Sequence, residues 1–483
     1  MTGGTAAKAT VSARTMVLPL ALAQFIASYA ATNMNVAISD IAKDLDTTVV
    51  GIQTTITLFT LTMASLMIPG SKLTDIWGRK RCFVLGLVVY GVGALLALLS
   101  QGLALMIFGY SLLEGIGSAL MIPPIYILVT VAFPDVKTRA KYFGVVSGAG
   151  GLGAAAGPLI GGLITSTVGW RASFLLQVLV VALIVLMARR IVDPGRDGPK
   201  PRFDLTGAVL SAAGLFFVVL GFLQSGTYGW LVSRQDFTIG GAVVIPQGAV
   251  SPVWLFLAVG ALFLLWFFLH LRSDEKAHRE PLIGLRLFRN RTANLGLGTQ
   301  TVQWLVLQGS FFVVSVYVQR VRGYTAIETG LALMPATIGI LVASAAAERF
   351  AGRHSQRWLV IVGFTMTVGG MLLLLLLGRS GGLGLIPGLL FMGLGVGTML
   401  TSSVNIVQSS FADRDQGDIS GLSRSVSNLG SSLGVALAGS LVAGVNPSGK
   451  PYALALGTLT VIAFVGLVLA ILIPRGEPAT GSG

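Results

Sequence analysis

Residues 103–132 read LALMIFGYSLLEGIGSALMIPPIYILVTVA, an apolar run with one acid, Glu114, near its middle. A helix rises ~1.5 Å per residue and a bilayer's hydrocarbon core is ~30 Å thick, so this stretch is long enough to cross with some tilt. Glu114 then lies about 16 Å along the axis from the start of the run, too deep for a short side chain to reach the interface. No other acid in the chain is placed this way.

The rest of the composition agrees with a membrane environment. The chain has 483 residues, of which 54% are hydrophobic and 11% charged, and its mean hydropathy of +0.82 is too high for soluble domains. It reads as an all-α polytopic membrane protein. The net charge of +14 does not indicate nucleic acid, because the basic residues are scattered between apolar runs instead of gathered on one soluble face. A single cysteine, Cys82, excludes an intramolecular disulfide and any multi-cysteine metal site. The first apolar segment is too long, and too regularly followed by others, to read as a cleaved signal peptide.

Runs of spanning length fall near 16–38, 50–69, 82–99, 103–132, 142–166 and 171–192. A linker at 193–204, DPGRDGPKPRFD, can neither enter lipid nor continue a helix. Two further runs lie near 205–224 and 253–271, separated by a polar, glycine-rich loop at 225–251 in which the alternation over 237–245 predicts a small hairpin. After a charged connector at 272–291, a second set of six falls near 294–319, 327–347, 358–377, 383–407, 419–445 and 452–473. The layout is six, two and six.

Lys and Arg near span ends stay on the cytoplasmic side. Of the 33 basic residues, one side of this layout holds only Lys43, Arg171, Arg234, Arg320, Arg322, Arg379 and Lys450. The other side carries all the rest, including Arg79–Arg81, Arg424 and both termini. Both termini are therefore expected in the cytoplasm, which requires an even number of spans.

Two local patterns carry more than topology. Residues 70–81, GSKLTDIWGRKR, set an acid and a basic cluster around a glycine turn, a loop able to lock two helix ends by charge pairs and release them. The positive-inside rule alone explains neither Asp75 nor the glycines. In the fifth span, residues 148–162 read GAGGLGAAAGPLIGG. Small residues at spacing four make a flat face for close backbone approach, and Pro158 removes a ladder hydrogen bond and bends the helix.

With these in hand the chain resembles the major facilitator superfamily. The 70–81 loop is similar to that superfamily's signature loop, and Gly153-x-x-x-Gly157-Pro158-x-x-Gly161-Gly162 to the helix motif of its antiporter branches. The six-two-six layout resembles the fourteen-span drug:proton antiporter family, with further agreements at 35–38, 169–174, 317–324, 330–335 and 417–422. The resemblance implies a major facilitator fold: an N-terminal six-helix bundle at 1–192, a linker with two additional spans at 193–293, and a C-terminal six-helix bundle at 294–483. It implies alternating access, with Asp75, Gly78, Arg79 and Lys80 as a conformational latch. The chain departs from the family pattern at charged positions. Ala30 stands where the first-span acid falls, Ser111 replaces the fourth-span Arg, and Glu114 replaces the Gln that follows.

Glu114 is thus the one acid deep in the first six spans. Low dielectric disfavours a charged carboxylate, so such a group can bind and release protons during a cycle. Tyr110 at i−4 and Ser111 at i−3 are the expected hydrogen-bond partners. Without a proton role, Glu114 would act as a neutral interhelical hydrogen-bonding residue. Gln24, Asn33, Gln53, Tyr110, Ser111, Gln303, Trp304 and Gln308, with Thr54, Thr57 and Gln300, are uncharged polar or aromatic residues expected to line a cavity between the halves. Little fixed positive charge there favours neutral or cationic amphipathic cargo.

The expected function is secondary active export of a hydrophobic or amphipathic, drug-like compound, with protons as coupling ion. The alternatives are a lipid or native-metabolite exporter or facilitator without proton coupling, and a transport-inactive receptor or scaffold. No cofactor, metal or nucleic-acid partner is expected, and the protein is read as a monomer in the cell membrane. Enzyme chemistry is not supported: no nucleophile–base set or metal-ligand cluster is visible, and His270, His278 and His354 lie at span ends or in loops.

Overall fold

The computed structural model describes residues 13–133, 136–191, 193, 202–239, 242–279, 281–350, 354–378, 382–411, 416–442 and 450–475. Most of the 193–204 linker and both chain ends lie outside these residues. The first six spans comprise α1 (Ala13–Asn33), α3 (Val49–Trp77), α4 (Arg79–Leu98), a composite of α5 (Leu103–Met106), a π-helical turn (Ile107–Glu114) and α6 (Gly115–Ala132), then α7 (Val136–Thr167) and α8 (Arg171–Ala188). The short α2 (Ile38–Asp44) joins the first two. The two extra spans are α9 (Leu205–Tyr228) and α10 (Pro252–Lys276), and the last six are α11 (Arg291–Arg320), α12 (Ala326–Phe350), α13 (Gln356–Leu377), α14 (Gly382–Gln408), α15 (Gln416–Val442) and α16 (Lys450–Leu472). Among the described residues, thirteen helices are long and apolar enough to cross a membrane, and α7 makes fourteen when its two arms, bent by 42°, are taken as one span. The missing N–H of Pro158 frees the Ala154 carbonyl at that bend.

Several helices begin where the sequence supplies a cap. Thr48, Asp204, Ser251, Asn290 and Ser355 each accept a first-turn backbone N–H with a side-chain oxygen. The 237–245 alternation forms the antiparallel pair β1 (Phe237–Ile239) and β2 (Ala242–Ile245). The boundary furthest from expectation is in the second span. The second span does not end at Pro69, because α3 runs on to Trp77 and only Gly78, at φ 99°, separates it from α4. Gly70 lets the backbone of α6 approach at Ala119, and Thr74 Oγ1 donates to the Gly70 carbonyl at 2.9 Å, so the helix is held through the proline. Eight of the loop's twelve residues are therefore helical turns of α3.

The packing repeats between halves. In the first six spans α1 lies on α7 and α4 on α6; in the last six α11 lies on α15 and α13 on α14. Across the seam α3 meets α15 and α7 meets α12. The extra hairpin joins through α9, whose Ala208 and Leu210 share an apolar cluster with Ile68 of α3 and Ile419 and Leu422 of α15. Its other helix presents Leu262, Leu265 and Trp266 outward, as a lipid-facing surface does. The side on which α3 ends and Arg79–Arg81 begin α4 is called the basic side below.

Candidate functional site

Glu114 closes the π-helical turn and is fully buried inside the first six-helix bundle, away from the seam between halves. Gly93 and Gly109 allow α4 to lie directly against this turn. That brings Tyr90 beside Glu114. The Tyr90 hydroxyl donates to Gln177 Oε1 on α8 at 2.5 Å and reaches the Ile26 carbonyl of α1 at 3.4 Å. On the same interior surface Tyr29 bonds Ser173, and Asn33 Nδ2 donates to Ser173 Oγ at 2.9 Å. Both Glu114 carboxyl oxygens, Gln177 Nε2, Asn33 Oδ1 and Ser118 Oγ are buried without a hydrogen-bond partner. Such orphans are costly in a protein interior and mark functional sites when they gather.

The local partners expected for Glu114 turn elsewhere. Tyr110 stacks on Phe59 with centroids 4.5 Å apart, and its hydroxyl donates to the Ala30 carbonyl at 2.8 Å. Ser111 Oγ donates to the Thr55 carbonyl at 2.7 Å. Neighbouring backbone oxygens on α1 and α3 take both donors, so Glu114 is met from α4.

The residues expected in one cavity divide into groups. Asn33, Tyr110 and Ser111 belong to the Glu114 interior. Gln53 donates to the Val435 and Ala436 carbonyls of α15 at 3.4 and 3.2 Å, and Gln308 to the Ala31 carbonyl of α1 at 3.1 Å, so both join the halves directly. Gln303 and Gln300 sit inside the last six spans: Ser403 Oγ donates to Gln303 at 3.0 Å, Gln300 Nε2 to the Ser403 carbonyl at 2.9 Å, and Ser423 Oγ to Gln300 at 2.6 Å. Gln24 Nε2 reaches Ser28 Oγ at 3.4 Å while its Oε1 is buried without a partner. Trp304 is half-buried. Thr54 Oγ1 donates within its own helix to the Val50 carbonyl, and Thr57 Oγ1 is buried without a partner.

One cation between the halves was not anticipated. Arg424 of α15 hydrogen-bonds Tyr126 of α6 and stands 5.1 Å from that ring's centroid. Counting it with the solvated flank of its span hid it. The available signal was its spacing from Ser420, Asn428 and Ser431, which share a helix face with it.

The 70–81 region makes contacts on the basic side. Lys72 Nζ forms a charge pair across the seam with Asp418 Oδ1 of α15, at 3.2 Å. Lys80 ties the start of α4 to the end of α8 and the linker, its backbone N–H donating to Asp193 at 3.1 Å and its Nζ to the Arg189 carbonyl at 3.0 Å. Gly78 supplies the left-handed turn between α3 and α4, and Asp75 and Arg79 are also engaged. In α7, Gly153 lies on the Phe25 carbonyl of α1, Gly157 on Thr32, and Gly161 on Asn33. Gly162 faces the Ala326 carbonyl of α12, and the Pro158 carbonyl faces Gly330, so this motif packs two neighbours at once.

The sequence showed no group of metal-ligand residues, yet folding brings Asp204, His270 and Asp274 together. His270 Nε2 is 3.0 Å from Asp204 Oδ1 and 3.3 Å from Asp274 Oδ2. Asp204 also accepts the Gly207 N–H at 2.7 Å and the Leu282 N–H at 3.2 Å. Through these contacts the set ties α9, α10 and the connector together.

Two repeated helix bundles with a polar seam and a buried acid define a polytopic transporter. The chain belongs to the Major Facilitator Superfamily, whose profile matches residues 20–250, 237–435 and 338–482. It is 26% identical to a multidrug resistance protein of Mycobacterium tuberculosis (strain ATCC 25618 / H37Rv) over 433 residues, 89% of this chain and 76% of that protein. A puromycin resistance protein of Streptomyces alboniger is 27% identical over 420 residues, 86% of this chain and 79% of its own. A cephamycin export protein of Amycolatopsis lactamdurans is 29% identical over 477 residues, 96% and 93% of the two chains. The protein is a membrane transporter of small molecules related to drug and antibiotic efflux proteins.

Proposed function

We propose that this protein exports a hydrophobic or amphipathic compound by alternating access, driven by protons that bind and leave Glu114. The basic side is the cytoplasmic side of the cell membrane, because retained Lys and Arg mark that side, and both termini lie there. The two six-helix units rock about the seam formed by α3 with α15 and α7 with α12. Kinship to resistance and export proteins supports cargo of this kind and its outward direction.

The observation that carries the coupling role is the fully buried Glu114 carboxyl beside the Tyr90 hydroxyl at the end of a π-helical turn. An acid buried in a membrane span is held at a cost that a role in proton binding would explain, and π turns recur at functional sites. The test is Glu114→Gln in proteoliposomes. The variant keeps the size of the side chain and is expected to exchange cargo down its gradient, while a pH gradient no longer drives accumulation. Full pH-driven accumulation by Glu114→Gln would remove Glu114 from the coupling step.

A further inference from the structure

We propose that Arg424 selects the cargo, taking the carboxylate of an acidic amphipathic compound in the cleft between the halves; the inference rests on the transport reading above and refines its substrate class.

The faces of α15 are assigned by their contacts. Gly421, Ser425 and Ser432 lie on α3, at Ser71, the Ala64 carbonyl (2.5 Å) and the Thr57 carbonyl (3.0 Å). Ser423, Gly430 and Gly434 lie on α11, at Gln300, Thr301 and Leu305. Ile419 and Leu422 pack with residues of α9. With 3.6 residues per turn, one stripe remains, and it contains Arg424, Asn428 and Ser431. It faces the cleft, and Arg424 reaches across to Tyr126 of the other half.

Across the cleft, α1 turns Ala31 toward α11, and Gln24 shares that face seven residues earlier. The Gln24 side chain is only 3% exposed and its Oε1 has no partner. Trp304 of α11 is half-buried and lies between the faces that α11 gives to α14 and α15. The cation and the indole thus lie on helix faces turned to the seam between the halves, and the Gln24 amide lies at its edge, against Gly150 of α7.

Among the described residues, no carboxylate lies within ion-pair distance of Arg424. A guanidinium set inside a membrane span without an acid is held at a cost, here offset in part by a neutral phenol and a ring face. Among the described residues the guanidinium fork lacks the partner it fits best, a planar carboxylate bound in bidentate fashion. When the halves part on the basic side, Tyr126 leaves with the first six spans and the fork opens to the cleft. An acid with an apolar body can then pair with Arg424 and lay that body against Trp304. Sequence reasoning favoured neutral or cationic cargo because it placed no cation in the cleft, and Arg424 removes that ground.

The experiment measures equilibrium binding of dansylated undecanoic acid and of its methyl ester to the purified full chain in nanodiscs, at constant pH with no gradient, so proton coupling plays no part. The wild type is expected to bind the acid about tenfold more tightly than the ester. Arg424→Gln should weaken the acid to the level of the ester and leave the ester unchanged, which also reports that the variant is folded. Should Arg424→Gln bind neither probe, Arg424→Lys decides: a point charge without the fork should bind the ester normally and lose several-fold in acid preference. An acid-to-ester ratio unchanged in these variants, or no acid preference in the wild type, overturns the role of Arg424 and leaves the transport reading standing. Binding of neither probe to the wild type overturns the inference together with the cleft as a cargo site.

Discussion

Around Glu114, each polar side chain either has a partner on another helix or has none. Tyr90 is the one that faces both ways, beside the carboxyl and donating to Gln177. Tyr90→Phe keeps the ring in its packed position and leaves Gln177 Oε1 without a donor. It should lower stability in detergent by about 1 kcal/mol, between the ~0.6 average for interhelical membrane bonds and the 1–3 of an orphaned buried group. It should also alter the pH profile of uptake if the hydroxyl turns to the carboxylate when Glu114 ionises. A thermal unfolding curve matching the parent would show that the bond contributes nothing. The sequence made the depth of Glu114 legible, because depth needs only a residue count along an apolar run. Its partners were not legible, because Tyr90 and Gln177 come from two other spans, 87 positions apart, and no spacing rule joins them. Arg424 was misplaced for a related reason: charge tallies assign a basic residue to the nearer loop, whereas its direction depends on which faces of α15 the neighbours occupy.

Among the helices, α7 shows how a string of small residues becomes a joint. The glycine spacing predicted close approach, and it occurs on α1 through Gly153, Gly157 and Gly161 and on α12 through Gly162. The sequence could not say which neighbours these would be, since spacing describes a face without naming its partner. Gly157→Leu would drive a branched side chain into Thr32 and the Tyr29 carbonyl. It is expected to abolish transport or assembly, while Gly157→Ala, with one methyl to place, should cost about 1–3 kcal/mol of stability. Wild-type uptake and melting for both variants would mean the two helices separate freely there. The length of α3 was underread for the opposite reason. Pro69, Gly70 and two charges look like a loop by composition, but packing on α6 carries the helix through them.

Across the whole molecule, the halves touch on both sides of the membrane. Opposite the basic side, Gln319 Nε2 donates to the Asn35 carbonyl at 3.1 Å and Ser166 Oγ accepts the Ile327 N–H at 2.8 Å. On the basic side the contacts are Lys72 with Asp418, Ser425 with Ala64, and Arg424 with Tyr126. A rocking transporter must break one set while keeping the other, so the balance between states depends on how strongly each set holds. Lys72 and Asp418 are 17% and 25% exposed, so solvent screens the pair and its worth is about 1 kcal/mol at most. Asp418→Asn should then shift the population toward the state open on the basic side by no more than about fivefold, read as a longer spin-label distance between the ends of α3 and α15. The reversed pair, Lys72→Asp with Asp418→Lys, should restore the parental distribution, because the attraction depends on opposite charge and not on which helix carries which sign. If Asp418→Asn leaves the distances unchanged, the pair is incidental to the seam. If it opens the basic side and the reversed pair fails to close it, the geometry around the lysine matters more than the charge, and the latch must be sought in the helix turn at Gly78 that sets the angle between α3 and α4.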